Sequence, residues 1–146
     1  NAPETFTLKL FQSVSSNEGR STATLELEKD GRIYHDSATG EGPCDAAFRA
    51  IDRITGIPGT IVDFSVNTVG QGALGTAEAA IRARFQGREF TGKWSSQNVV
   101  EAAARAYLQA ANRAAYELKR LAEAAAAAPK SVHTNAMVDR MFPGGY

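Results

Sequence analysis

The first thing to notice in these 146 residues is what is scarce. There is one cysteine, Cys44, so no disulfide can close within the chain, and a reducing cytoplasm is the expected setting. The two histidines, His35 and His133, lie far apart in the chain. They offer neither the clustered spacing of a zinc site nor a partner for Cys44 in nucleophilic catalysis. Formal net charge is zero, from 16 basic and 16 acidic residues mixed along the chain. A binder of nucleic acid or of an anionic membrane would carry a basic patch, and none is visible. No apolar run approaches the roughly 20 residues that cross a bilayer, and the reading expects no secretory leader. Phosphate-cradling loops are missing too, because Gly40-Glu41-Gly42 is followed at once by Pro43 and has no third glycine. Ser95-Ser96 precedes a helix pattern without the glycines of a nucleophile elbow, so it reads as capping. The expectation is a piece of a longer chain with no catalytic residue, no metal site and no cofactor of its own.

What is present is patterning of two periods. With 43% hydrophobic residues, the chain can bury a core as one domain. Thr5 to Val14 alternates Phe6, Leu8 and Leu10 against polar neighbours, as a half-buried strand does. Thr22 to Glu28 alternates again, and Asp30-Gly31 signals a hairpin that returns through Arg32 to Thr39. A helix follows from Pro43 to Gly56, with Cys44, Ala47, Phe48, Ile51 and Ile54 on one face and Arg49, Asp52 and Arg53 toward water. Strands at Thr60 to Val69, Ala77 to Gln86 and Arg88 to Ser95 come next, then a helix capped by Asn98 that keeps its spacing to about Ala127. That second helix is rich in alanine and about 40 Å long, more than a small domain covers, so a homodimer is expected.

The two halves echo each other. Shifted by 56 positions without a gap, Gly31-Arg32 falls on Gly87-Arg88, and Asp45-Ala46-Ala47-Phe48-Arg49-Ala50 on Glu101-Ala102-Ala103-Ala104-Arg105-Ala106. The same shift sets Phe6, Leu8 and Leu10 on Val62, Phe64 and Val66. Turn glycines, strand faces and helix starts in phase mark a duplicated supersecondary unit. The fold expected is therefore α+β: two βββα repeats related by a pseudo-twofold, antiparallel sheets covered by helices, and a long C-terminal helix. One domain is placed at residues 1–127, with repeats at about 5–57 and 60–127 and a tail at 128–146.

The start of the first helix is the stretch with chemical potential. Gly42 is a candidate N-cap and Pro43 suits the first helical position. Asp45 opposes the positive end of the dipole, which also favours the Cys44 thiolate. Two glycines before a helix leave backbone N–H groups open to a carboxylate.

Gly40 to Phe48, Val62 to Asn67 with Ala73-Leu74-Gly75, and Val99 to Ala102 with Ala110 to Arg113 together resemble the C-terminal regulatory domain of 2-isopropylmalate synthase, from about Phe6 to Arg120. The resemblance implies a full-length enzyme whose TIM barrel, absent from this chain, uses a divalent metal and acetyl-CoA. It also implies that leucine binds near the helix starts at a dimer interface. By that resemblance Gly40, Glu41, Gly42, Cys44, Asp45, Ile61, Phe64, Thr68 and Leu74 map onto the effector pocket, with Val99 placed more loosely. The residues themselves offer backbone N–H groups around Gly42 to Asp45 for a carboxylate, carbonyls of the two glycine loops with Glu41 and Asp63 for an ammonium, and Cys44, Ile61, Phe64, Leu74 and Val99 for an apolar side chain. Cys44, Thr76, Trp94 and Gln97 depart from the family's usual residues. Two alternatives follow: the isoleucine-reading domain of a citramalate synthase, and a dimerisation domain that has lost its effector.

Overall fold

A computed structural model of the chain describes residues 5–69 and 75–127. Six strands and two helices follow in the order β1 (Thr7–Ser15), β2 (Ser21–Lys29), β3 (Arg32–Gly40), α1 (Pro43–Thr55), β4 (Gly59–Val69), β5 (Thr76–Phe85), β6 (Arg88–Ser96) and α2 (Val99–Ala127). The strands form two separate antiparallel sheets, ordered β1-β2-β3 and β4-β5-β6. Each is followed by its helix, so the architecture is the expected repeated βββα. The compact unit ends at Tyr116, and the last turns of α2 form a second unit whose described residues from Lys119 to Ala127 are exposed.

Local chemistry explains the repeat. Asp30-Gly31 and Gln86-Gly87 are both two-residue turns with positive φ, at 53° and 78° in the first and 51° and 82° in the second. That conformation matches the twist of a tight hairpin and favours glycine at its second position. β3 and β6 begin 56 residues apart, as do α1 and α2. The first strands do not keep this shift. Leu8 pairs with Leu27 and Ile61 with Ala83, so β4 matches β1 at an offset of 53. Three more residues lie between Thr68 and Ala77 than between the equivalent Ser15 and Ser21, and Phe64 is the counterpart of Phe11 instead of Leu8.

Each first strand also carries a bulge, at Lys9 between Leu8 and Leu10 and at Val62 between Ile61 and Asp63. The bulge changes which side chains face the core. Phe11 comes opposite buried Leu25, while Leu10 comes opposite Glu26 and is 36% exposed. Simple alternation therefore misplaces Leu10.

One cluster joins the inward residues of both sheets, including Leu25, Leu27, Ile81 and Phe85, to Phe48 and Ile51 of α1 and Tyr107 and Leu108 of α2. The helices meet through Phe48 and Tyr107, whose rings stack at 4.6 Å. A helix packed on more than one side needs small residues all round, and Ala102, Ala103, Ala104, Ala106, Ala110, Ala111 and Ala114 are buried. At the closest approach, a Cβ on Gly92 of β6 would overlap the Ala106 carbonyl, so that position must be glycine.

Candidate functional site

The start of α1 is unlike that of α2. Gly42 is its N-cap in an extended conformation, Pro43 follows at the first helical position, and no side chain caps the helix. The Ala46 N–H reaches the Gly42 carbonyl at 2.9 Å. The N–H groups of Cys44 and Asp45 come before the first helical bond and point out of the helix end. A Cβ on Gly42 would meet nothing within 4 Å, so the approach to these donors is open. Gly40 is a glycine for the opposite reason, because a Cβ there would strike the Asp45 carboxylate and the Ala46 backbone. The Asp45 carboxylate holds this turn by accepting the Glu41 N–H at 3.0 Å and Arg49 Nε at 2.9 Å.

At α2 the same place is filled. Asn98 Oδ1 accepts the Glu101 N–H at 3.0 Å, and Ser96 Oγ accepts the Asn98 N–H at 3.1 Å. Glu101 then pairs with Arg105 at 2.9 Å, just as Asp45 does with Arg49. Only the first helix therefore presents an open positive end.

Apolar groups stand beside it. Cys44 is half-buried against the core, and burial pushes its thiol pKa up. One turn on, Phe48 meets the edge of Phe64 at 5.9 Å. Phe64 is 37% exposed, and on the same sheet face Val66, Ala79 and Trp94 form one cross-strand row. Arg105 lies over the Trp94 ring at 5.4 Å.

Of the residues the sequence nominates, Gly40, Glu41, Gly42, Pro43, Cys44 and Asp45 form one turn. Phe64 reaches α1 through Phe48, and Ile61 packs on the core from the same face. Thr68 is exposed opposite Ala77, and Val99 is exposed as the first residue of α2. Asp63 stands opposite Arg82 on the other face of the sheet, where it lines a groove of about 450 Å³ with Ser65 and Lys93. Leu74 lies outside the described residues. Near the open end, Glu41 is thus the exposed carboxylate, while that of Asp45 is already engaged.

Sequence reasoning missed Asp52, which it turned toward water. Its Oδ1 accepts the Tyr107 hydroxyl at 2.7 Å and the Gly59 N–H at 3.3 Å, tying α1 to α2 and β4. Burial raises its pKa to about 6, against the lowering pull of those two hydrogen bonds and of Arg49. Burial and the neighbouring carboxylate raise the pKa of Tyr107. The repeat held the clue, because the position equivalent to Asp52 is Leu108, which is buried. A groove of about 540 Å³ lined by Thr22, Ser37, Thr39 and Asp52 also meets Arg49 and Arg53, but both guanidinium groups are engaged, by Asp45 and Asp36. Among the described residues no three His, Cys, Asp or Glu side chains gather to hold a metal ion, and no helix is long and apolar enough to cross a membrane.

The fold is a duplicated βββα module in which the start of α1 carries no side-chain cap. The chain belongs to the LeuA allosteric (dimerisation) domain family, whose model matches residues 1–115. It is similar to 2-isopropylmalate synthase of Clostridium kluyveri, 37% identical over 117 residues, covering 80% of this chain and 23% of that protein. It is also similar to the 2-isopropylmalate synthases of Gloeothece citriformis, 38% identical over 113 residues, and Microcystis aeruginosa, 39% identical over 112 residues. These matches cover 77% and 76% of this chain and 21% of each relative. The chain thus spans between a fifth and a quarter of the length of the relatives it matches.

Proposed function

We propose that this chain is the feedback-regulatory domain of a 2-isopropylmalate synthase, that it binds L-leucine at the start of α1, and that it pairs with a second copy of itself. The observation that carries the reading is the uncapped N-terminus of α1, open over Gly42 and flanked by Cys44, Phe48 and Phe64. The N–H groups of Cys44 and Asp45 would receive the carboxylate and Glu41 the ammonium, with the branched side chain directed toward Phe64. In the full-length protein a catalytic barrel holding a divalent metal would condense acetyl-CoA with its keto-acid substrate, in the cytoplasm. Leucine would act on that barrel through a modest coupling, about 1–3 kcal/mol for typical allosteric effects.

A second reading has its own support. Cys44 stands at the helix start and Trp94 in the cross-strand row of Val66 and Ala79, on the sheet face that carries Phe64. Their departure from the family's usual residues is compatible with a different branched-chain effector such as isoleucine, as in a citramalate synthase. The two amino acids differ in one methyl position, worth about 1–3 kcal/mol in a tight pocket. Calorimetric titration with leucine and isoleucine separates the readings by affinity. A dimer that takes up neither amino acid at millimolar concentration would instead be a dimerisation domain without an effector.

A further inference from the structure

Two three-stranded sheets leave four strand edges, on β1, β3, β4 and β6. An edge strand presents unpaired backbone groups, and proteins usually cover or charge them. On β6, two α2 side chains one turn apart do this: Gln109 Oε1 accepts the Lys93 N–H at 2.8 Å, and Arg113 Nη1 donates to the Thr91 carbonyl at 2.8 Å. On β3, the Ser37 N–H is taken by Asp36 Oδ1 at 2.8 Å, and Arg53 of α1 grips that carboxylate at 2.9 and 3.3 Å. Ser37 and Lys93 are equivalent positions, so both repeats protect the same point on their third strand.

The first strands are treated differently from each other. Just before β1, buried Asn112 accepts the Phe6 N–H at 2.8 Å and donates to its carbonyl at 2.9 Å. The strand then carries Lys9 on its bulge, paired with Glu28 at 3.4 Å, followed by polar Gln12, Ser13 and Ser15. At the equivalent positions β4 has Val62 for Lys9 and Val66 for Ser13, while β1 has Leu10 and Val14, 36% and 67% exposed, where β4 has Asp63 and Asn67. The difference lies in the charged bulge of β1 against the apolar bulge of β4. Among the described residues, no side chain bonds to the β4 backbone beyond Gly59. Every residue from Val62 to Thr68 is exposed, with Val62 and Phe64 at 37% and Val66 at 40%.

We propose that β4 pairs antiparallel with β4 of a second copy about a twofold axis at Ser65, joining two three-stranded sheets into one of six strands. This deepens the self-association part of the proposed function and does not depend on leucine. Self-pairing suits an antiparallel strand because one sequence supplies both sides of an isologous contact. The register follows from side chains. Centring on Ser65 sets Phe64 opposite Val66 of the other copy on one face and Asp63 opposite Asn67 on the other. Centring on Asp63 would face two carboxylates, which is destabilising. It would also bring the bulge at Val62 into the middle of the ladder, whereas centring on Ser65 leaves it at the rim.

Sedimentation velocity of the whole chain and oxidative cross-linking test this. The chain is expected to sediment as a dimer at tens of micromolar. Val66→Lys is expected to shift it to monomer, with self-affinity at least tenfold weaker, while Val14→Lys on β1 leaves the dimer intact. In a Cys44→Ser background, Ser65→Cys treated with diamide is expected to give a covalent dimer on a non-reducing gel, and Val14→Cys is not. The cross-link decides the matter if Val66→Lys fails to fold, because Ser65 is exposed. A dimer in which Ser65→Cys does not cross-link, or a wild-type chain that sediments as a monomer, would overturn the proposal. Failure of leucine to bind would leave these outcomes unchanged.

Discussion

Glycines at Gly92 and Gly42 look alike in the sequence and do opposite work. A methyl at Gly92 would press on the backbone of α2, which cannot yield as a flexible side chain can. Gly92→Ala is expected to cost about 2–3 kcal/mol and to lower the melting temperature by roughly 10 °C. At Gly42 the backbone is extended and the space is empty, so Gly42→Ala should cost less than about 1 kcal/mol. Its methyl would take up the open space through which the ligand carboxylate is proposed to approach, so amino-acid affinity is expected to fall at least tenfold while the melting temperature hardly moves. Paired melting and titration curves for the two variants check this. Asp52 adds a pH dependence with a definite sign. Its pKa rises from 3.8 in the unfolded chain to about 6 in the fold. The folded state therefore holds the proton more tightly, and this stabilising contribution is complete below pH 4 and lost as pH rises through 6. The side chain keeps partial contact with solvent, which reduces the effect to about 1–2 kcal/mol between pH 4 and pH 8. Asp52→Asn keeps an acceptor for Tyr107 and Gly59 without the charge. It should raise the melting temperature at pH 8 and flatten this part of the pH profile in differential scanning calorimetry.

Between elements, each first strand begins by bonding to the other repeat's helix. Phe6 is held by Asn112 of α2, and Gly59 by Asp52 of α1. This exchange interlocks the repeats within residues 5–116, so neither half is expected to fold alone. Asn112→Ala leaves two buried backbone groups unpaired, which should destabilise the fold by about 2–3 kcal/mol in urea unfolding. Much of the element order was legible beforehand. Turn chemistry at Asp30-Gly31 and Gln86-Gly87, with Pro43, Gly56 and Asn98 at helix ends, placed elements to within a residue or two, because these signals act locally. The bulges at Lys9 and Val62 were not legible, since a bulge depends on the neighbouring strand and leaves little trace in alternation. Alternation alone therefore points Leu10 inward and leaves out Phe11. A helical wheel turns Asp52 to water because it assumes one buried face, whereas α1 has a sheet on one side and α2 on another. The Gly40 to Asp45 turn could be read from its glycines and proline, while the row of Val66, Ala79 and Trp94 appears only once strand register is known.

Across the whole molecule, duplication supplies two similar units, and the proposed function rests on small differences between them. Asn98 caps the second helix start, while the first, at Gly42, has no side-chain cap. The first strands differ as well, since β4 carries Val62 at its bulge where β1 carries Lys9. The proposed account thus sets a ligand-reading end at α1 beside a self-pairing edge at β4, with Phe64 common to both; Gly42→Ala tests the first and Val66→Lys the second. The most direct measurement is a calorimetric titration of the chain with L-leucine. The account predicts saturable binding at submillimolar leucine that weakens at least tenfold in Gly42→Ala. No heat and no thermal shift with leucine or isoleucine up to several millimolar, from a chain shown to be folded, would contradict it.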